Sequence, residues 1–137
     1  MKNLRSILFA LTVLLMASAA QAQQSKVLAN VPFDFVVGDR AYAAGEYLFS
    51  NSDAILKITN AEQQAKTEMT LSHACESITP SADTKLVFDS MGGYYFLRQI
   101  WVAGNSRGRE LPRSHTEVRL AQNEKQQSVI VAANISR

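Results

Sequence analysis

The sequence is poor in the residues that build covalent or metal-dependent sites. It contains one cysteine, Cys75, and two histidines, His73 and His115, among 137 residues. A single thiol cannot form an internal disulfide, so packing alone must hold the fold together. Neither histidine belongs to an H-x-x-x-H or C-x-x-C spacing, and we therefore expect no metal site and no cofactor. The length allows one ordinary domain.

Neither positive nor negative charge is in excess once residues 1–22 are set aside. The sequence carries 14 lysines and arginines against 12 aspartates and glutamates, a formal net charge of +2. Lys2 and Arg5 account for this excess, so the chain after residue 22 is balanced. A balanced domain has no bulk electrostatic attraction for nucleic acid or an anionic membrane. We therefore expect no nucleic-acid partner.

Residues 1–22 have the pattern of an export signal. The two positive charges precede an apolar stretch from Ile7 to Met16, and Ala20-Gln21-Ala22 fits the A-x-A cleavage pattern. The apolar stretch is shorter than the ~20 residues that span a membrane. We predict a signal peptide cleaved near Ala22 and a single β-rich domain over 23–137 without a transmembrane segment. The predicted location is periplasmic or secreted.

Apolar and polar residues alternate along most of the remaining chain, which is the period of a half-buried β-strand. Gly92-Gly93 separates two such stretches and predicts a hairpin. The second arm of this hairpin has apolar residues on both faces, with Phe96 and Ile100 on one and Leu97 on the other, as expected of a central strand. The predicted strands cover residues 31–37, 46–50, 54–59, 67–75, 85–89, 94–102 and 128–135.

One helix is predicted late in the chain. Ser114-His115-Thr116-Glu117 has the form of a capping box, which predicts a helix from there to near Gln126. Val118, Leu120 and Ala121 give this helix only a thin apolar face, which is typical of a helix lying on a sheet. The fold class we predict is all-β: a small antiparallel sandwich or barrel of about seven or eight strands with one C-terminal helix, at the margin of α+β.

Three arginines gather just before the predicted helix: Arg107, Arg109 and Arg113. The first N–H groups of a helix carry partial positive charge, so cations there need a negative partner. Glu110 and Glu117 provide one within the chain, which is the simpler explanation. A bound anion is the alternative: phosphate, sulfate or the carboxylate of a cell-wall polymer, held by bidentate arginine. The three arginines are therefore the candidate anion-binding residues.

Aromatic residues make up only 8% of the chain, yet several fall on one predicted hairpin arm. Tyr94, Tyr95 and Trp101 are candidates for a surface that stacks on carbohydrate or contacts another protein, since aromatic groups provide large rigid contact area. The alternative is that these side chains belong to the core of a small β domain.

Three arrangements resemble catalytic motifs, and none is complete. His73 and Cys75 lie two apart, on one face of a strand, but no third residue is evident to orient the imidazole. Gly104-Asn105-Ser106-Arg107-Gly108 matches G-x-S-x-G without the strand–helix alternation that this motif needs. Asp34 and Glu46 are acids without a visible sugar cleft. We therefore predict no catalytic residues.

Three further stretches are Val31-Pro32-Phe33-Asp34-Phe35-Val36-Val37-Gly38, Ala44-Gly45-Glu46-Tyr47 and Gly108-Arg109-Glu110-Leu111-Pro112. Together they resemble a group of small exported proteins, frequent in acidobacterial genomes, that have no assigned biochemical role. In that group the position of Ala43 is often proline, and this chain departs from it there. The resemblance implies an exported β-rich domain and no catalytic residues.

The sequence thus favours an exported, non-enzymatic β-domain with a binding or envelope role. Its expected partner is a cell-wall component, an anionic small ligand or another envelope protein. A small hydrolase using Ser106 or Cys75 is one alternative. A small-ligand or anion-binding barrel with an internal cavity is another.

Overall fold

A computed structural model describes residues 25–136 of the chain. The predicted signal peptide over 1–22 lies outside these residues. The described part contains twelve β-strands and one short helix. The strands are β1 (Lys26–Val31), β2 (Phe35–Val37), β3 (Arg40–Tyr42), β4 (Gly45–Ser52), β5 (Ile55–Asn60), β6 (Thr67–Leu71), β7 (His73–Glu76), β8 (Lys85–Met91), β9 (Tyr94–Trp101), β10 (Arg107–Glu110), β11 (Gln127–Ala132) and β12 (Asn134–Ser136), and the helix is α1 (His115–Ala121).

The strands form two sheets that pack face to face. The first sheet has the order β12-β1-β4-β5-β6, and the second has the order β11-β8-β9-β10-β7. The β2–β3 hairpin joins the second sheet through one parallel contact between Val36 and Phe96, whereas the other pairings are antiparallel. The predicted all-β fold with a late helix is confirmed, and of the two architectures predicted the sandwich is the one observed.

The core lies between the two sheets and is built by the alternation seen in the sequence. Inward-facing side chains in both sheets are buried, while the residues between them face solvent, as expected of packed antiparallel sheets. The largest fully buried core side chains are Phe35, Phe49, Phe88, Leu56, Ile58, Leu86, Leu111 and Val31.

Each edge of the sandwich is formed by a chain segment that passes from one sheet to the other at a single residue. Only Ser72 separates β6 in the first sheet from β7 in the second, and only Ala133 separates β11 from β12. The Ser72 N–H donates to the Ala54 carbonyl at 2.8 Å, and the Ala133 N–H donates to the Thr84 carbonyl at 3.0 Å. The sequence predicted one strand in each place, and the structure bends each at its corner residue. The strand count also rises because β3, β10 and most of β1 were not predicted, and the stretch predicted as one strand over 31–37 contains only the end of β1 and β2.

The predicted hairpin at Gly92-Gly93 is confirmed, and it contains a bulge that the sequence did not indicate. Both glycines have positive φ, 57° and 80°, as a two-residue turn with left-handed backbone requires. Val87 pairs with Gln99 and Phe88 with Leu97, so Arg98 is the extra residue on β9. The bulge reverses the alternation after Arg98. The prediction that Leu97 and Ile100 lie on opposite faces is therefore wrong, because both belong to the core.

The helix begins at the predicted capping box. Ser114 Oγ accepts the Glu117 N–H at 3.1 Å, and Glu117 Oε2 accepts the Ser114 N–H at 3.3 Å. The helix ends at Ala121, well before the predicted Gln126, and Val118 on its predicted apolar face is 46% exposed. A face with so little apolar area cannot hold a longer helix on the sheet.

Glu117 is the buried residue of α1, and it contacts a buried arginine on the sheet below. Arg98 Nη2 donates to Glu117 Oε1 at 3.1 Å, Nε donates to Asp89 Oδ2 at 3.1 Å, and Nη1 donates to the Leu111 carbonyl at 2.5 Å. The bulge at Arg98 turns this guanidinium toward the helix. Burial raises the pKa of the Glu117 carboxyl, while the positive charge of Arg98 opposes that rise.

Across residues 25–136, no helix has the length and apolar character needed to cross a membrane.

Candidate anion-binding cleft

Two of the three candidate arginines line one cleft between the sheets. Arg107 and Arg109 are two apart on β10, and therefore project from the same face of the strand. Arg109 pairs with Ile100 of β9, a core residue, so this face is the one turned toward the first sheet. The cleft has a volume of about 540 Å³, which lies within the range typical of small-molecule sites.

The cleft has an apolar wall and a polar wall. Its apolar wall is made by Val27, Phe49, Leu56, Ile100 and Val102, which come from both sheets. Its polar wall is made by Ser25, Asn51, Ser52, Asp53, Asn105, Arg107 and Arg109. Val27, Phe49, Leu56 and Ile100 are core side chains that are only 1–5% exposed, so little of their surface is open to a ligand, and the polar residues provide the groups that a ligand can contact.

Arg109 is fixed in place by the corner between β6 and β7. Its Nε donates to Ser72 Oγ at 3.2 Å, and its Nη2 donates to the Ser72 carbonyl at 3.0 Å and also to the Asp53 carbonyl. All of these acceptors are neutral. Among residues 25–136, no carboxylate oxygen lies within 4.0 Å of this guanidinium, and its Nη1 makes no hydrogen bond. Its positive charge is thus held at the cleft by neutral acceptors, and the Asp53 carboxylate, which also lines the cleft, forms no ion pair with it.

Arg107 has a weaker partner. Its Nε lies 3.0 Å from Glu76 Oε1, and the two side chains are 79% and 69% exposed. Exposed ion pairs contribute little to stability because water screens them and two long side chains must be ordered. Arg107 can therefore exchange Glu76 for another anion at low cost.

Asn51 places an unpaired acceptor in the same cleft. Its Oδ1 is buried from solvent and has no hydrogen-bond partner among the described residues. Asn51 pairs with Leu56 across β4 and β5, so the Asn51 side chain lies beside the apolar wall. A buried acceptor without a partner costs free energy, but an atom closed to solvent is also closed to a ligand in the cleft, so Asn51 Oδ1 is not a ligand contact.

Arg113 lies apart from the other two arginines. It lines a different cleft, of about 440 Å³, together with Arg40, His115 and Leu71.

The negative partners predicted for the three arginines also differ from those observed. Glu117 pairs with Arg98 and is also influenced by the positive charge of Arg113, Arg107 pairs with Glu76, and Arg109 finds neutral acceptors. Internal charge compensation is therefore found for Arg107 and in part for Arg113, and Glu110 and Glu117 do not pair with Arg109.

The three predicted aromatic residues do not form one surface. Tyr95 packs inward, with its ring stacked on Phe33 at a centroid distance of 3.9 Å. Tyr94 is 52% exposed at the turn end of β9, and Trp101 is half-buried at the other end. The Trp101 ring covers Gly108, where an added Cβ would lie 2.8 Å from ring atoms.

The residues of the incomplete catalytic motifs do not form an assembled site among residues 25–136, although His73 and Cys75 share strand β7. Cys75 lies on β7 opposite Gly108, and His73 lies opposite Glu110. Burial raises the pKa of the Cys75 thiol, which disfavours the thiolate that a nucleophile needs. Asp34 Oδ1 accepts the Ala44 N–H at 2.9 Å, an interaction that fastens a loop.

Metal ligands are not clustered in the described part of the chain. Residues 25–136 contain no group of three or more histidine, cysteine, aspartate or glutamate residues that could hold a metal ion.

Sequence reasoning missed the most deeply buried charged group. Arg98 is 8% exposed, Asp89 is 3% exposed and Glu117 is 3% exposed. The available signal was that two residues of opposite charge, Asp89 and Arg98, occur on the two arms of a largely apolar hairpin. They are not opposite each other in the register, since Asp89 pairs with Phe96 and Arg98 is the bulge residue. No catalytic or binding geometry surrounds this group, because its three charged side chains satisfy one another.

No protein-family model, curated protein or solved structure matches the chain. The resemblance to exported acidobacterial proteins therefore stays a prediction from the sequence.

Proposed function

We propose that the protein is an exported, non-enzymatic β-sandwich that binds a small anion in the cleft between its sheets. The observation that carries this proposal is the position of Arg109. Its guanidinium is held at the cleft by the neutral oxygens of Ser72 and Asp53, with no carboxylate within 4.0 Å among residues 25–136. Export is supported by the signal pattern of residues 1–22.

The fixed guanidinium favours binding because little conformational freedom is lost when an anion arrives. Ordering a flexible side chain costs about 0.5–1.5 kcal/mol on binding, and Arg109 is already ordered by its contacts with Ser72. Nε and Nη2 of Arg109 are occupied by Ser72 and Asp53, which leaves Nη1 to donate a charge-assisted hydrogen bond to an oxygen of a carboxylate, sulfate or phosphate. Arg107, two residues away on the same face, adds a second charge once it leaves Glu76.

The proposal is non-enzymatic because the reactive groups of the chain do not converge on this cleft. Of the residues considered for nucleophilic chemistry, neither Cys75 nor His73 lines it. The carboxyl of Glu76, which pairs with Arg107, is largely exposed to solvent. The cleft thus contains groups that hold a charge and lacks an assembled acid, base and nucleophile.

The test is a calorimetric titration of the purified protein with sulfate and with acetate. Arg107→Gln should weaken sulfate binding by roughly 3- to 10-fold, because it removes one charge-assisted contact. Glu76→Gln should strengthen it by roughly 2- to 3-fold, because it removes the competing carboxylate. Arg113→Gln is the matched control, since this arginine lines a different cleft and should leave the affinity unchanged.

Two outcomes would overturn the proposal. The first is that neither sulfate nor acetate binds to the folded protein at millimolar concentration. The second is that Arg113→Gln weakens binding as much as Arg107→Gln, because a loss shared by both variants reflects general attraction to positive charge and not the cleft.

A further inference from the structure

The edge strand β11 presents unpaired backbone groups along one side of the second sheet. In the described part of the chain β11 pairs with β8 alone, and the Ala133 N–H, which donates to the Thr84 carbonyl at 3.0 Å, continues the same register. Hydrogen-bonded and non-hydrogen-bonded pairs alternate in an antiparallel ladder. Counting back from Ala133, the backbone N–H and C=O groups that point away from β8 are those of Ser128, Ile130 and Ala132. Within residues 25–136, no backbone hydrogen bond outside the ladder reaches these three residues.

This edge lacks the features that usually keep an edge strand from pairing. Natural edge strands are protected by charged side chains, proline, bulges or a short length. Residues 126–136 contain neither a charged residue nor proline, and β11 pairs with β8 in an unbroken register over its six residues. At the opposite edge of the same sheet, β7 has four residues and carries Glu76, which pairs with Arg107. β11 is therefore the less protected of the two edges.

Both faces of β11 are apolar. Val131 is buried in the core, and Val129 packs against the core but is only half-buried. Ile130 points to the outer face of the sheet and is 61% exposed. β-Branched side chains stabilise a sheet chiefly by packing against side chains on a neighbouring strand. On the free side of β11, Val129 and Ile130 do not have that neighbour within the described chain.

We propose that two copies of this protein associate by antiparallel pairing of β11 with β11, centred on Ile130. In this register Ile130 lies opposite Ile130 of the second copy, Ser128 lies opposite Ala132, and Val129 lies opposite Val131. The outward N–H and C=O groups of Ser128, Ile130 and Ala132 then all have partners, because these residues occupy the hydrogen-bonded pairs. The two second sheets become one continuous sheet.

A second copy suits this edge because the strand is complementary to itself. The two-fold arrangement brings an uncharged strand against an uncharged strand, so no like charges meet, and it forms isoleucine and valine pairs across the contact. A contact in which each copy uses the same surface closes at two copies. The inference does not depend on the anion site, because the residues of β11 do not line that cleft.

The first experiment measures the oligomeric state of the purified protein by sedimentation equilibrium. We expect a monomer–dimer equilibrium with a Kd between about 1 μM and about 1 mM. Ile130→Lys should raise this Kd more than about tenfold, because it places two like charges directly opposite each other. Ile55→Lys is the matched control, since Ile55 is a 42% exposed isoleucine on the outer face of the other sheet and its replacement should leave the Kd unchanged.

The second experiment tests the register with single cysteines in a Cys75→Ala background, which removes the one native thiol. Ile130→Cys should form a disulfide-linked dimer on mild oxidation, because the Cα atoms of a hydrogen-bonded pair lie about 5.5 Å apart, within the range of a disulfide. Ser128→Cys is the control on the same strand. Its two copies are separated by four residues along the strands, roughly 13 Å, and should not cross-link.

Thermal unfolding verifies that each variant is folded, and the results then decide the proposal. A dimer that Ile130→Lys weakens and that Ile130→Cys cross-links supports it. A monomer at every concentration up to about 1 mM overturns it. A dimer that Ile130→Lys leaves intact, or that Ile55→Lys weakens equally, assigns the contact to another surface. Cross-linking through Ser128→Cys in place of Ile130→Cys contradicts the register. None of these results bears on sulfate binding, so the two proposals fail separately.

Discussion

The guanidinium of Arg109 lies against Ser72, the residue at which the chain passes from the first sheet to the second. Nη2 donates to the Ser72 carbonyl at 3.0 Å and contacts Ser72 Oγ at 2.9 Å. One side chain thus fixes a corner of the sandwich and presents a positive charge to the cleft. Stability and anion binding are therefore coupled at Arg109. Arg107 carries a charge, but its side chain is held only by an exposed ion pair with Glu76.

This coupling predicts different costs for the same change at the two arginines. Arg109→Lys keeps the charge and loses the forked contacts with Ser72 and Asp53, so it should lower the free energy of unfolding by about 1–3 kcal/mol. Arg107→Lys alters only an exposed pair and should change it by less than about 0.5 kcal/mol. Urea denaturation measures both. Equal effects of the two substitutions would contradict the structural role of Arg109.

The buried charges below α1 give a second prediction. Arg98→Met removes the only positive group between the Asp89 and Glu117 carboxylates and should cost about 3–5 kcal/mol, because both carboxylates lose a buried partner. Arg119→Met, on the exposed side of the same helix, should stay within about 0.5 kcal/mol. Denaturant unfolding at neutral pH compares them. A loss below 1 kcal/mol for Arg98→Met would show that the trio is not paired as described.

Glu117 gives a prediction about pH. Burial raises the pKa of this carboxyl from its ordinary value of 4.5. The folded protein then holds a proton that the unfolded chain has released, so this group favours folding in acid and that contribution is lost as pH rises through the raised pKa. The unfolding free energy of the native protein, relative to Glu117→Gln, should fall between about pH 4.5 and neutrality. Glutamine also preserves the capping box.

The comparison with Glu117→Gln isolates this one titration. Glu68 titrates in the opposite sense, because a hydrogen bond from the Tyr42 hydroxyl lowers its pKa, but Glu68 is present in both proteins and cancels. Denaturation curves of the two proteins at a series of pH values provide the test. Parallel stability profiles across the range would contradict the raised pKa.

The close approach of Trp101 to Gly108 supplies a fourth prediction. A Cβ at residue 108 would lie 2.8 Å from the indole ring and 2.9 Å from the Ile100 carbonyl oxygen. Gly108→Ala should therefore destabilise by about 1–3 kcal/mol through forced displacement of β9 or β10. Ser106→Ala, in the exposed loop before β10, should be neutral. Thermal unfolding compares the two, and a neutral Gly108→Ala would show that the ring lies elsewhere.

Local patterns predicted the elements of this fold well, because each depends on neighbours in sequence. Alternation located most of the strands but not β3, β10 or the greater part of β1, while Gly92-Gly93 located the hairpin and Ser114 with Glu117 located the start of the helix. The corners at Ser72 and Ala133 were not predictable, since a strand that changes sheets keeps the same alternation on both sides of its bend. The pattern also gave no sign of the bulge at Arg98.

The candidate site was predictable in part, for the same reason. The three arginines are visible in the sequence as a cluster, but no strand was predicted over 107–110, so the shared face that β10 gives to Arg107 and Arg109 was not predicted. Arg113 lies four residues after Arg109 and follows Pro112, where the strand has ended and the chain leads into α1. The apolar wall of the cleft could not be predicted, because its residues come from four strands that only the sheet order brings together.

The most direct test of the cleft follows the side-chain Nε–H resonances of the arginines by NMR while sulfate is added. The account predicts that the resonances of Arg107 and Arg109 shift together with one common Kd, while the resonance of Arg113 stays unchanged. Shifts confined to Arg113, or equal shifts at every arginine, would contradict it.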